Sequence, residues 1–113
     1  MQLITVDKMY PEASKYMDLL NKIPKVCVTM ERSNFFASEM RIVLSYACWD
    51  GTVVTDVILF WRDEDPVPVI IKRLSGYRFI DWRSPWGVCV ATLPTFGNLN
   101  ELRMKLQLMG IEV

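Results

Sequence analysis

Residues 41–62 read RIVLSYACWDGTVVTDVILFWR. Two runs rich in β-branched and aromatic residues flank Asp50-Gly51, a dipeptide that favours a two-residue type I′ hairpin turn. A hairpin closed by that turn has a defined register. Trp49 then faces Thr52, Cys48 faces Val53, Tyr46 faces Thr55, Leu44 faces Val57, Ile42 faces Leu59 and Met40 faces Trp61. Because side chains alternate along a strand, the second face pairs Ala47 with Val54, Ser45 with Asp56, Val43 with Ile58, Arg41 with Phe60 and Glu39 with Arg62. The first face is almost wholly apolar and belongs to a core. The second is mixed, and its Val43, Ile58 and Phe60 require a further cover.

Outward from this hairpin the pattern is that of a small α+β chain. Gln2 to Val6 alternates as a short strand. Pro11 then suits the first turn of a helix running to about Lys22, with Tyr16, Leu19, Leu20 and Ile23 at helical spacing. From Lys25 to Arg32, Val26, Val28 and Met30 alternate with Cys27, Thr29 and Glu31, the period of a half-buried strand. Phe35 to Ser38 fits a helical turn, a loop or a strand start equally well. Beyond the hairpin, Asp63 to Pro68 is an acidic, twice-proline loop in which no helix begins before about Pro66. Val69 to Leu74 leans towards a short helix started by Pro68, with an edge strand as the alternative that its β-branched run allows. Tyr77 to Trp82 and Val88 to Leu93 read as paired strands. Asn98, with Glu101 three residues later, opens a last helix that ends at Gly110. Its stripe of Leu99, Leu102, Leu106 and Met109 leaves Met104 and Leu108 as surplus apolar surface.

These elements predict one α+β domain over residues 1–113: a largely antiparallel sheet built on the central hairpin, with the N-terminal and C-terminal helices on one face. At 113 residues and 51% hydrophobic the chain can bury a core without disulfides. Its 13 basic residues balance 13 acidic ones, which disfavours nucleic acid and acidic membranes as partners. No apolar run approaches the roughly 20 residues of a membrane span, and no signal pattern precedes the first element, so a cytoplasmic location is expected.

The chain has no histidine, which excludes Ser-His-Asp and Cys-His catalysis and His-ligated zinc. Glycine-rich phosphate loops are absent too, and the five glycines are isolated. Cys27, Cys48 and Cys89 show no CxxC spacing and read as reduced, buried thiols. Asp63, Glu64 and Asp65, with Asp56 and Asp81, supply oxygen ligands of the type a divalent cation takes. Consecutive carboxylates point apart, however, and the spacing matches no Ca²⁺ loop, so a solvated loop is the better reading. No catalytic residue, metal or cofactor is therefore assigned.

The most suggestive segment is Tyr77 to Trp86, YRFIDWRSPW, in which arginines stand among aromatic rings, a combination frequent at binding hot spots. A core strand with Trp82 buried and Arg78 or Arg83 paired to Asp81 explains it equally well. The function expected is a non-enzymatic interaction module of inhibitor or adaptor type. It would bind another protein, with a homodimer as the expected assembly, through Arg78, Asp81, Trp82, Arg83 and Trp86 together with Arg41 and Phe60 of the second sheet face. The alternatives are a small-ligand or nucleotide-binding module using the same aromatics and arginines, and a metal-assisted hydrolase using Asp63, Glu64 and Asp65.

Overall fold

The computed structural model describes residues 6–33, 36–47, 51–80 and 90–113. Pro11 opens helix α2 (Pro11–Leu20) at a position where its missing N–H costs no intrahelical bond. Before it, Val6–Met9 forms the short helix α1 with Asp7 in its first turn, where a carboxylate favours helical backbone. Val6 thus starts a helix rather than ending a strand, and residues 2–5 of the expected strand lie outside the described residues. At the other end of α2 the side chain of Asn21 reaches strand β1 (Val26–Arg32). Its Nδ2 donates to the Val28 carbonyl at 2.8 Å and its Oδ1 accepts from the Val28 N–H at 2.6 Å. One side chain thereby occupies both edge-facing backbone groups of Val28.

β1 pairs with β2 (Glu39–Ala47), and β2 pairs with β3 (Val53–Trp61), both antiparallel, giving a sheet of order β1-β2-β3. The hairpin stands where the sequence placed it, but its register differs by one residue. Ala47 pairs with Val53, Ile42 with Ile58, Met40 with Phe60 and Glu39 with Trp61. The connection between the paired ends is residues 48–52, an odd length, not the two-residue turn at Asp50-Gly51. Residues 48–50, Cys48 among them, lie outside the described residues. A shift of one residue turns every β3 side chain to the opposite face. Ile58 and Phe60 therefore point inward with Met40, Ile42 and Leu44, and Leu59 and Trp61 point out.

Helix α3 (Pro66–Leu74) starts at Pro66, capped by Asp65, whose Oδ1 accepts from the Val67 N–H at 3.1 Å. The expected pair of short strands forms as β4 (Arg78–Ile80) and β5 (Val90–Thr92), antiparallel with Phe79 opposite Ala91. Helix α4 (Leu99–Leu108) is capped by Asn98, which accepts from the Glu101 N–H at 2.8 Å. Glu101 reaches back to the N–H of Gly97 at 3.2 Å, one residue before the partner a capping box uses. At its end Gly110 takes a φ of 82°, the left-handed geometry that closes helices.

α2 touches β1, α3 and α4. The buried side chains of these helices, among them Leu20, Ile70, Leu74, Leu102 and Leu106, form one core cluster with the even-numbered side chains of the sheet. Tyr16 stacks on Phe96 and Tyr10 meets the edge of Phe60, with ring centroids 6.0 and 5.8 Å apart. As its spacing predicts, α4 leaves Met104 and Leu108 exposed, but Met109, expected in the core stripe, is exposed as well, because the helix ends at Leu108 and Met109 is its C-cap. Cys27, expected to be a buried thiol, is free and exposed, because β1 turns its neighbours Val26 and Val28 inward.

Candidate functional site

The sheet's outward face is set by strand parity. β1 presents Cys27, Thr29 and Glu31, β2 presents Glu39, Arg41, Val43 and Ser45, and β3 presents Val53, Thr55, Val57, Leu59 and Trp61. Of the β3 residues, Val53 is 57% exposed, Val57 47%, Leu59 58% and Trp61 60%. Val57, Leu59 and Trp61 follow one another on this face as a continuous apolar strip, with Val53 set apart from them by Thr55, unlike single exposed leucines, which are common on any protein.

Among the described residues β3 is also the edge of its sheet. The N–H of Arg62 donates to the Ser38 carbonyl at 2.7 Å, so the even-numbered residues of β3 carry the ladder bonds to β2 and the odd ones direct their N–H and C=O groups away from it. Two carboxylates guard this edge. Asp56 Oδ1 accepts from the Val57 N–H at 2.9 Å, and Glu64 Oε1 accepts from the Trp61 N–H at 3.1 Å. Glu64 also donates its own N–H to the Trp61 carbonyl at 2.9 Å, completing a reciprocal clasp around the end of the strand. Such occupied edge groups discourage indiscriminate strand pairing.

Asp56 has a second duty on the inward side, where Tyr77 donates its phenolic hydrogen to Oδ2. That hydrogen bond, reinforced by burial, pushes the Tyr77 hydroxyl up to about 12. The carboxylates of the acidic segment thus have separate tasks: Glu64 holds the strand edge and Asp65 caps α3. Among the described residues, no group of three or more potential ligands stands together to hold a metal ion.

Arg41 lies on the outward face with its Nε 2.5 Å from Glu31 Oε1. The charges are in contact, but the buried Nε has no aligned hydrogen-bond acceptor. Phe60, expected beside it, is 3% exposed and part of the core, and its place on the outward face is taken by Leu59 and Trp61. Asp81, Trp82, Arg83 and Trp86 lie outside the described residues, and of Arg78 the backbone in β4 is described. Sequence reading missed Leu59, Trp61 and Glu64 as surface determinants, because the turn-based register had placed Leu59 and Trp61 in the core.

Near Trp61 the surface is concave. A cavity of about 290 Å³ is lined by Glu39, Leu59, Phe60, Trp61 and Glu64, and a wider one by Ala37, Ser38, Trp61, Arg62 and Asp63. Fold and surface together define a small α+β protein with an apolar, edge-guarded sheet face. No protein-family model, curated protein or solved structure matches the chain. No helix among the described residues is long and apolar enough to cross a membrane.

Proposed function

We propose that this protein is a non-enzymatic interaction module that binds another polypeptide on the outward face of β2 and β3. The observation that carries this reading is the set of Val53, Val57, Leu59 and Trp61, about half or more exposed along one strand. Its side chains present on the order of 400 Å² to solvent, near the apolar share of one side of a standard interface of roughly 800 Å² per partner. On this reading the helices cover the inward face and leave the outward one for the partner. The Glu64 and Asp56 contacts favour docking against side chains rather than addition of a strand to the edge.

A second copy of the chain is the first partner to test. The formal net charge is zero, so no long-range repulsion separates two copies, and an isologous contact needs only one self-complementary patch. Sedimentation velocity on the wild type and on Val57→Lys addresses this directly. A dimer that the substitution dissolves identifies the partner as a second copy. For any other partner, proteins retained by the wild type and lost by the folded variant support the face, and an unchanged retained set contradicts it.

A further inference from the structure

The corner where the outward face meets the β3 edge carries a more specific chemistry. Glu39 lies directly across the ladder from Trp61, and Leu59 is on the same face two residues before it. Glu64 is brought to the other side of Trp61 by its bond to the Trp61 N–H. Together these residues line the cavity of about 290 Å³, whose remaining lining residue, Phe60, has its ring buried. An exposed indole and an apolar floor thus stand between two carboxylates.

Neither carboxylate is neutralised within the described residues. Glu39 is partly buried yet makes no ion pair and no side-chain hydrogen bond there. Glu64 uses one oxygen on the Trp61 N–H and pairs with no cation. The nearest outward-facing cation of the sheet, Arg41, is committed to Glu31 at 2.5 Å. Arg62 lines the neighbouring cavities with Asp63 instead of this one. Two carboxylates alone would describe a solvated rim. Set around an indole face and an aliphatic floor, they match a group with an apolar stem and a cationic head, because the indole attracts a cation over its ring while the stem covers apolar surface.

We propose that the corner bounded by Glu39, Leu59, Trp61 and Glu64 is a binding site for a lysine or arginine side chain of the polypeptide that covers the outward face. This rests on the interaction reading and adds the chemistry of the partner to it. The stem lies along Leu59, the head is held between Glu39 and Glu64, and the indole of Trp61 forms the wall. The recognised segment is therefore apolar with a basic residue at this position, and a partner offering glutamate there is rejected by like charge.

The test uses capped tripeptides titrated into the ¹⁵N-labelled protein while the Trp61 indole N–H resonance is followed. Acetyl-Val-Arg-Val-amide and its lysine counterpart are expected to give saturable shifts. Their affinity should be about tenfold above that of the norleucine peptide, and the glutamate peptide should give no saturable shift. Glu39→Gln should weaken the arginine peptide about threefold and Glu39→Gln/Glu64→Gln about tenfold, and added salt should weaken it further. Glu39→Gln removes no bond that holds the fold, so its effect reports the site itself. Equal binding of the arginine and norleucine peptides, or an unchanged affinity in Glu39→Gln, overturns the proposal. Should Leu59→Lys abolish partner binding while the tripeptides show no charge preference, the basic-residue site fails and the interaction face stands. The converse pair of results retains the site and rejects the face.

Discussion

Glu39 stands opposite Trp61 at the last rung of the β2 and β3 ladder, and Glu64 folds back to take both backbone groups of the same tryptophan. One aromatic side chain is thereby fixed at the corner of the sheet, half exposed, with its strand end closed to further pairing. The tryptophan is held as a surface feature by the geometry around it. An unstructured terminus would leave it free to fold inward.

The register makes a sharp prediction for adjacent residues. Phe60→Ala empties a core position packed against Tyr10 and should cost about 3–5 kcal/mol in urea denaturation. Leu59→Ala, on the exposed face, should change stability by less than about 1 kcal/mol. The reverse order would place Leu59 in the core and refute the observed pairing.

Tyr77 gives a pH signature. Its hydroxyl is held up to about 12 by donation to Asp56 and by burial, against about 10 in an unfolded chain. Between those values the unfolded state has lost the phenolic proton and the folded state keeps it, so stability falls as pH rises. The contribution is fully present below about pH 10 and is gone above about 12. Denaturation from pH 8 to 12 should show the extra alkaline loss in the wild type and a shallower one in Tyr77→Phe.

Asn21 joins the end of α2 to β1 through two bonds to Val28. Asn21→Ala removes both and should cost about 1–3 kcal/mol. Amide hydrogen exchange should show faster exchange at Val28, with the β2 and β3 amides keeping their protection.

Asn98 accepts from the Glu101 N–H at the start of α4. Asn98→Ala should lower the thermal midpoint by an amount equivalent to about 1 kcal/mol, and Asn98→Asp should retain most of that stability.

Much of this fold was legible in the sequence because it depends on local rules. Pro11 and Asn98 announce helix starts, and the alternation of Val26, Val28 and Met30 fixes the inward side of β1, whereas α3 begins at Pro66, inside the segment expected as loop and three residues ahead of Val69. The β3 register was not legible, for a physical reason. Both parities of residues 53–61 are apolar, with Val53, Val57, Leu59 and Trp61 on one side and Val54, Ile58 and Phe60 on the other, so burial alone gives no preference. The favourable turn dipeptide pointed to an even connection. In the structure the choice goes to the parity that turns Asp56 inward, where it finds Tyr77, a partner 21 residues away that no local pattern reveals. The binding face follows from that choice. A mixed second sheet face in need of cover is expected from Val43, Ile58 and Phe60, but Val57, Leu59 and Trp61 occupy it in place of Ile58 and Phe60. The corner at Glu64 depends on a backbone reversal after Trp61 that composition does not encode.

The most direct measurement of the central claim is affinity capture from cells expressing tagged protein together with an untagged copy, comparing the wild type with Leu59→Lys. Circular dichroism and urea denaturation first confirm that the variant is folded. The outward-face account predicts that at least one polypeptide, the untagged copy or another chain, is retained by the wild type and falls at least tenfold in the variant. Equal recovery of every retained polypeptide by the two proteins would contradict it.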